Sequence, residues 1–392
     1  MKNLLEKYQW ISYKIDFSKM DYRFWLTLGQ CISKSRHISQ IPLLPKNRDK
    51  LHSVFLAKGV AATTAIEGNT LGEEKVLEIL QNRDNIEPSK QYQKQEVLNI
   101  IEACNQIAKD ISGGDNLMVS TEFLCKLNER VLANGVPVAE GAAPGKIRRH
   151  SVVVGNIYRG PDAMDVPILL EEFCRWINTL GNEIEEKVGK ESVAIIRAIV
   201  AHLYIVWIHP FGDGNGRTAR LVEFMILLQY GIPSAAAHLL SNHYNLTRTM
   251  YYKYLDLAGK GGKPEEFFKY AVEGFKDGLQ SVIDTIIDQV QFISWQHYVY
   301  ETFKEMPKSD VSKRQRDVLI EISAKHYDVG RPLTLKEIED FTAKVYLEHK
   351  KQSNSFKKDY RYLIENEFLL EMKDGITPNV KPVLQRLPFS NQ

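Results

Sequence analysis

The chain has 392 residues, 44% of them hydrophobic and 26% charged, with a formal net charge of +2. This exceeds one ordinary core, since domains cluster near roughly 100–200 residues, so two or three compact units are expected. The near balance of charge excludes any global electrostatic argument for nucleic acid or an anionic membrane and leaves only local patches.

The N-terminal stretch MKNLLEKYQW carries charges where a signal peptide needs its apolar region. No run reaches the ~18 uncharged residues that span a bilayer. The longest candidate, Ala194–Ile208, is interrupted by Arg197 and His202. A cytoplasmic protein with no membrane contact is the expectation. Cys31, Cys104, Cys125 and Cys174 are widely spaced and form no C-x-x-C pair, so they are expected as reduced, buried thiols.

Apolar residues recur at helical spacing through most of the chain, which predicts a mainly α fold. Helices are expected near Asp21–Ser35, Asp49–Glu67 and Gly72–Gln81, with a Pro-containing break at Ile41–Lys46 and a stop-and-cap step at Gly68-Asn69-Thr70. Two more follow at Tyr92–Ser112 and Ser120–Leu132. From Gly135 to Asp165 the texture turns to Gly, Pro and Arg. There Val152-Val153-Val154 and Ile157-Tyr158 flank Gly155-Asn156, a pattern that predicts a short hairpin with a two-residue turn. Alone such a hairpin is weakly held, so it is either a packed decoration or a flap.

Helices resume at Val166–Leu180, Glu191–Trp207, Gly216–Tyr230, Leu246–Ala258 and Pro264–Met306. The last stretch reads as helices at Lys313–Ala324, Thr334–Phe341 and Ser355–Asn366, then two short strands about a turn at Asp374-Gly375. Helix, helix, helix, hairpin is the order of a winged helix-turn-helix. The expected units are an N-terminal helical region over 1–115, a central domain over 116–260, a helical linker over 261–306 and the winged helix over 307–392.

The chemistry concentrates in HPFGDGNGRTAR, His209 to Arg220, directly behind an apolar helix. Gly212, Gly214 and Gly216 let successive N–H groups face one point, and the chain then enters a helix whose N-terminus adds positive dipole. That arrangement is an anion nest suited to phosphate. Arg217 and Arg220, three apart, share a helix face, and two guanidinium forks suit a polyphosphate better than one carboxylate. Asp213 can hold a Mg²⁺ that bridges phosphate oxygens, and His209 can act as a general base near neutral pH. The set describes nucleotidyl or phosphoryl transfer. A P-loop is excluded, because GDGNGR lacks the Gly-Lys-Ser/Thr and does not follow a strand. Singly, these residues have ordinary readings: a helix cap for His209, a turn for the glycines, solvated arginines.

This stretch matches without a departure the signature of Fic-domain proteins, His-x-Phe-x-(Asp/Glu)-Gly-Asn-Gly-Arg-x-x-Arg. A hairpin about fifty residues upstream and a following helix with Tyr251-Tyr252 also resemble the family, over at least Ser120 to Ala258. The resemblance implies a helical core and transfer of AMP from ATP to a protein hydroxyl, with release of pyrophosphate. It implies that His209 takes the hydroxyl proton and that Phe211 anchors the loop. Asp213 would hold Mg²⁺, and the loop N–H groups of Gly212, Gly214 and Gly216 with the Asn215 side chain would steady the α-phosphate. Arg217 and Arg220 would hold the β- and γ-phosphates. The hairpin, Val152, Val153 and Val154 on its first strand, would register the target peptide by strand addition. Asn242 and Tyr251 are candidates for the adenine side.

Upstream, AATTAIEGNT reads by itself as an ordinary helix end with Glu67 in solvent. Beside such a loop, Thr63-x-x-x-Glu67-Gly68 resembles the inhibitory helix motif of the family, here within about residues 54–67. The resemblance implies that Glu67 pairs with Arg220, occupying the fork and repelling ATP. Thr63 would fix that helix on the loop. An autoinhibited enzyme is therefore expected. The resemblance leaves other donors, UMP or phosphocholine transfer, and removal of AMP open. It does not name the target and leaves the chain itself open as one.

On helix Ser355–Asn366, Lys357, Lys358 and Arg361 interleave with Asp359, Glu365 and Glu367. The phosphate-facing excess is small. Protein docking or support of a homodimer is therefore favoured there over DNA. A regulator whose catalytic unit stays repressed is the rival function.

Overall fold

The computed structural model describes residues 2–43, 45–154, 158–259, 262–349 and 355–384. The chain divides into two units, Met1–Ile283 and Asp284–Gln392. In the first lie α1 (Lys2–Lys7), α2 (Tyr22–Gln40), α3 (Pro45–Ile66), α4 (Glu73–Leu80), α5 (Gln91–Ser112) and α6 (Thr121–Val131). A two-stranded antiparallel sheet follows, β1 (Val153–Val154) and β2 (Tyr158–Arg159). Then come α7 (Val166–Ile177), α8 (Asn182–Val188), α9 (Lys190–Ile208), α10 (Asn215–Gln229), α11 (Leu239–Leu246) and α12 (Arg248–Gly259). The long α13 (Pro264–Glu305) begins in the first unit and contributes Trp295, Val299 and Phe303 to the core of the second.

The fold is mainly α, as the helical spacing predicts. The centre of the first unit is α9, packed against α10, α2, α7 and α8. Ala194–Ile208 is apolar on every side, and a helix without a polar face must be covered on every side. Among the described residues it is the one helix long and apolar enough to cross a membrane, and 89% of that window is buried inside the protein. Its single arginine, Arg197, is satisfied there: the guanidinium donates to Leu180 O at 2.7 Å, to Asn182 Oδ1 at 3.0 Å and to the Tyr230 hydroxyl. α10 lies on α9 and also touches α5, α6 and α3. The turn that joins α9 to α10 is thereby enclosed by helices from distant parts of the sequence.

Several helix starts follow from local chemistry. Asp21 accepts from Phe24 N at 3.0 Å to cap α2, and Ser120 accepts from Phe123 N at 3.1 Å to cap α6. Gly68, at φ +101°, ends the turn after α3 as predicted. The cap of α4, however, is Gly72 without a side-chain bond. Asn69 instead accepts from Leu71 N and donates to Gln93 O, tying the turn to α5. The α3 helix starts earlier than expected, at Pro45, because proline suits a first helical position that needs no N–H. The short helices α1, α8 and α11 are additional to the expected set, and the helix predicted to end at Phe341 runs seven residues further, to Glu348. Cys31, Cys104 and Cys174 are buried free thiols as expected, whereas Cys125 is only half-buried, on α6 at the edge of a cleft.

Val154 pairs with Tyr158, one residue later than a two-residue turn would give. The Gly155-Asn156 turn and Ile157 lie outside the described residues.

The second unit holds α14 (Asp310–Val329), α15 (Leu335–Glu348), α16 (Phe356–Glu365), β3 (Leu369–Met372), β4 (Gly375–Pro378) and α17 (Lys381–Leu384). Its core joins Trp295, Val299 and Phe303 to Leu319, Ile322, Leu363 and Ile376. A bidentate pair lies within it: Arg314 Nε and Nη2 reach Asp359 at 2.7 and 3.1 Å. The β3–β4 hairpin turns at Lys373-Asp374, one residue before the predicted step, with Gly375 already paired to Met372. A Cβ on Gly375 would meet Leu333 O at 2.8 Å, the carbonyl to which Ile376 N donates.

Candidate active site

The buried α9 ends at Ile208, and His209 caps it in the left-handed region, φ +49°, its N–H still bonded to Ile205 O at 2.9 Å. A non-glycine residue there is strained, and tight neighbours must hold it. Arg148 is the principal one. Its buried guanidinium donates to the carbonyls of His209 at 2.7 Å, His150 at 2.7 Å and Pro161 at 2.6 Å, and its backbone N–H donates to Pro210 O at 2.9 Å. Ile147 bridges Phe211, whose side chain is fully buried and anchors the loop.

The imidazole of His209 has Nδ1 at 3.2 Å from the Val206 carbonyl. A carbonyl only accepts, so Nδ1 carries the proton and Nε2 keeps its lone pair. Desolvation lowers the His209 pKa to about 4, against the opposing pull of the Val206 carbonyl. The ring is neutral at physiological pH, the state a general base requires.

Beyond Phe211 the loop is held by its own side chains. Asn215 Oδ1 accepts from Phe211 N and Nδ2 donates to Phe211 O, both at 2.9 Å. Asn215 thus shapes the loop through Oδ1 and one N–H of Nδ2, and the second N–H of Nδ2 is left for the phosphate role that the resemblance implies. Gly214, at φ +76°, lies against Asn128, whose Nδ2 donates to Asp213 O at 2.9 Å. A Cβ on Gly212 would sit 2.8 Å from Ala142 Cβ, and one on Gly216 would collide with Glu67 Oε1. The first intrahelical bond of α10 is Thr218 N to Gly214 O, so the N–H groups of Asn215, Gly216 and Arg217 converge ahead of it as a helix N-terminus does.

Asp213 flanks this nest. Oδ1 accepts from Gly214 N at 2.5 Å and faces Arg217 Nη2 at 3.3 Å, while Oδ2 accepts from Ala139 N at 3.0 Å. Its side chain is 26% exposed. Among the described residues no group of three or more His, Cys, Asp or Glu could hold a metal by itself. Oδ2 retains one lone pair and access to solvent, which fits a Mg²⁺ that keeps its waters and draws its remaining ligands from phosphates.

Both arginines are buried and both meet carboxylates. Arg217 Nη1 lies 3.2 Å from Glu96 of α5, a residue whose other oxygen accepts from Asn69 Nδ2 at 2.8 Å. Arg220 donates from Nε to Thr63 Oγ1 at 2.6 Å, and from Nη2 to Thr63 O at 3.0 Å and to Glu67 Oε1 at 2.6 Å. Thr63 and Glu67, predicted from a motif more than 150 residues upstream, are therefore on the loop. Burial raises the Glu67 pKa, but Arg220, Arg217 and His209 together outweigh it and hold the carboxyl below its usual range. Arg220 Nη1 and Arg217 Nε remain buried donors with no acceptor among the described residues.

The other predicted residues lie around these parts: Tyr251 is close enough to Arg220 and Glu67 to feel their charge, and Val152 and His209 both border Gly160. Tyr251 is buried, its hydroxyl 2.8 Å from His202 Nε2, and Tyr244 donates to Glu223 at 2.9 Å beside it. The hydroxyl of Tyr251 faces a core network. Asn242 is buried with its Oδ1 unpartnered. Val153 stands 59% exposed on β1, and Val152 O accepts from Gly160 N.

Sequence reasoning missed the residues that brace these parts. Tyr158 of β2 donates to Trp207 O at 2.5 Å and accepts from Trp10 Nε1 at 3.2 Å, while Lys7 and Tyr8 reach Asp165 at 2.7 Å. Arg248 donates to Ile66 O at the end of α3. The clue to Arg148 was its place in a Gly/Pro segment between short β signals, which does not by itself show three carbonyl acceptors.

Comparison with known proteins agrees with this geometry. The Fic/DOC family model matches residues 118–227. Protein adenylyltransferase Fic of Drosophila ananassae is 30% identical over 199 residues, 51% of this chain and 36% of that protein. Protein adenylyltransferase Fic of Culex quinquefasciatus is 31% identical over 232 residues, 56% and 42% respectively. The chain thus spans well under half the length of these curated relatives. Among solved structures, Fic-1 (residues 134–508) from C. elegans aligns with a TM-score of 0.51 at 23% identity, covering 67% of this chain and 72% of that one. A Fic family protein from Desulfovibrio desulfuricans aligns at 0.50 and 16% identity, over 89% and 92%. Residues 118–227 of this chain are thus similar to the Fic/DOC family.

Proposed function

We propose that the first unit transfers AMP from ATP to a Ser, Thr or Tyr hydroxyl of a protein. The observation that carries this is one loop presenting a neutral His209 with free Nε2, a helix N-terminus, and two buried arginines with donors still unpartnered. The relatives' name, protein adenylyltransferase, supports the same reading. The acceptor oxygen attacks the α-phosphorus and its proton passes to His209 Nε2. The bond from the α-phosphorus to the bridging oxygen breaks and pyrophosphate leaves. Catalysis here is positioning and charge neutralisation: the α10 N-terminus faces the reacting phosphate, and Arg217 and Arg220 take the leaving group. A Mg²⁺ arriving with the triphosphate would be held by Asp213 and would neutralise phosphate charge.

In this reading Glu67 keeps the resting enzyme off. Its carboxylate occupies the Arg220 fork and lies against Gly216, at the mouth of the nest, where ATP would need both. Incubation of the wild type, Glu67→Gly and His209→Ala with α-labelled ATP and a cell lysate tests both claims. Label should rise with Glu67→Gly and fall by about 10²–10⁴-fold with His209→Ala. Label undiminished in His209→Ala ends the mechanism, and an unchanged Glu67→Gly ends the autoinhibition. Loss of label from a pre-labelled target on adding wild type would instead indicate AMP removal.

A second reading concerns residues 307–392 as a winged helix. The Asp359 carboxylate turns inward onto Arg314, so Lys357, Lys358 and Arg361 remain exposed on α16 with one acid fewer among them. This favours duplex DNA more than the linear sequence does. Salt-dependent binding of the full chain to a labelled duplex, lost in a Lys357→Glu/Lys358→Glu variant, is the check. Four free thiols support a reducing, cytoplasmic setting.

A further inference from the structure

A cleft of about 760 Å³ opens beside the loop, its floor including Gly212. One wall is the segment around Lys146, Arg149 and His150, and the other carries Ala163, Met164 and Pro167 after the hairpin. Lys146 and Arg149 are exposed, and among the described ion pairs neither has an acidic partner. Arg148, between them, is committed to three carbonyls and does not add to the free charge. Two acids of α6, Glu122 and Glu129, act on the thiol of Cys125, which also lines the cleft, but neither pairs with these cations. Met164, 89% exposed, supplies an apolar surface at the same opening. Arg217, Arg220 and Glu67 are not in its lining, so it adjoins the proposed triphosphate place at Gly212 without including the two arginines.

The segment is rigidly referenced to the reacting centre. Arg148 N donates to Pro210 O, and Ile147 bridges Phe211. The cations on either side of these bonds are therefore displayed at a fixed offset from His209. We propose that Lys146, Arg149 and His150 select the protein target by binding an acidic segment of it next to the acceptor hydroxyl. The proposal rests on the AMP-transfer reading for its purpose, but the docking itself does not. Charge complementarity at this distance acts on encounter and on discrimination between partners, and it is weakened by salt.

Two measurements separate the claims. In the first, a fluorescein-labelled Glu-rich peptide is titrated with the full chain without nucleotide, followed by anisotropy. Binding should weaken about tenfold in Lys146→Glu/Arg149→Glu and with rising NaCl. Both side chains are exposed, so an unchanged melting temperature should show the variant folded. In the second, the Glu67→Gly chain labels three peptides carrying one Thr flanked by Glu, Gln or Lys. The Glu-flanked peptide should have the highest kcat/KM, and charge reversal in the protein should invert the order. Equal binding of acidic and basic peptides, or indifference to the reversal, overturns the proposal. Selective binding with no label on any peptide or lysate protein would leave the docking standing and sink AMP transfer.

Discussion

In the proposed reaction His209 is the base, and its environment sets a pH profile. With its pKa lowered to about 4 by burial, it remains an unprotonated base across neutral pH. Transfer activity should therefore be flat in its dependence on this group from about pH 6 to 8 and fall only as pH drops toward about 4. A pH–kcat/KM profile of the Glu67→Gly chain checks this. A midpoint near the ordinary 6.5 would mean that the ring is solvated in the working enzyme. His209→Ala should lower the rate by about 10²–10⁴-fold. Glu67 carries the opposite sign. Its carboxyl is held below the usual range, so the Arg220 contact is fully present above the ordinary carboxylate pKa and lost only as pH falls through the lower value. Glu67→Gln should tighten ATP binding by about 5–150-fold, measured by calorimetry, while lowering the melting temperature of the nucleotide-free protein. The lengths of the two effects differ because one removes a competitor and the other leaves Arg220 buried with a weaker partner.

At the scale of elements, the loop owes its shape to the segment before it. Arg148→Ala leaves three carbonyls without their donor and should destabilise the first unit by about 2–4 kcal/mol in urea titration. Transfer should be lost with it, since His209 sits in a left-handed conformation that these bonds hold. The hairpin depends on a different brace. β1 and β2 pair over two residues each, too few to be stable alone. Tyr158 is fixed by Trp207 O and Trp10, and the N-terminal segment is tied to Asp162 and Asp165 by Lys7. Trp10→Ala should raise the KM for a protein target and leave ATP affinity unchanged. An equal loss in both would mean that Trp10 supports the loop generally. The main helices were legible from spacing, as with those expected from Asp21 and from Ser120, and the structure adds that these two residues cap them. The short α8 and α11 were not, because seven or eight residues give too little periodicity to separate from a turn.

At the scale of the whole molecule, the two units have separate cores and separate vulnerabilities. The Arg314–Asp359 pair lies inside the second, and Asp359→Ala leaves a buried guanidinium without its partner. It should destabilise that unit by about 3–5 kcal/mol, seen as an earlier step in chemical denaturation, while AMP transfer by the first unit persists. Loss of both together would show that the units fold as one. In sequence, Asp359 counted against the basic face of α16; only its inward orientation removes it from that surface.

The sequence by itself determined the loop and its chemical class. His209, the alternating glycines and the two arginines are local in the chain, and local spacing fixes which groups a turn and a helix N-terminus can present. It also indicated Glu67 through resemblance, without a distance. The tertiary structure decided what those groups touch: the Glu67 carboxylate against Arg220 and Gly216, Glu96 on Arg217, the Tyr251 hydroxyl on His202, and Arg148 beneath the loop. Each of these joins residues tens to more than a hundred positions apart. Such contacts follow from how α9 and α10 are enclosed by other helices, and no local period in the chain encodes them.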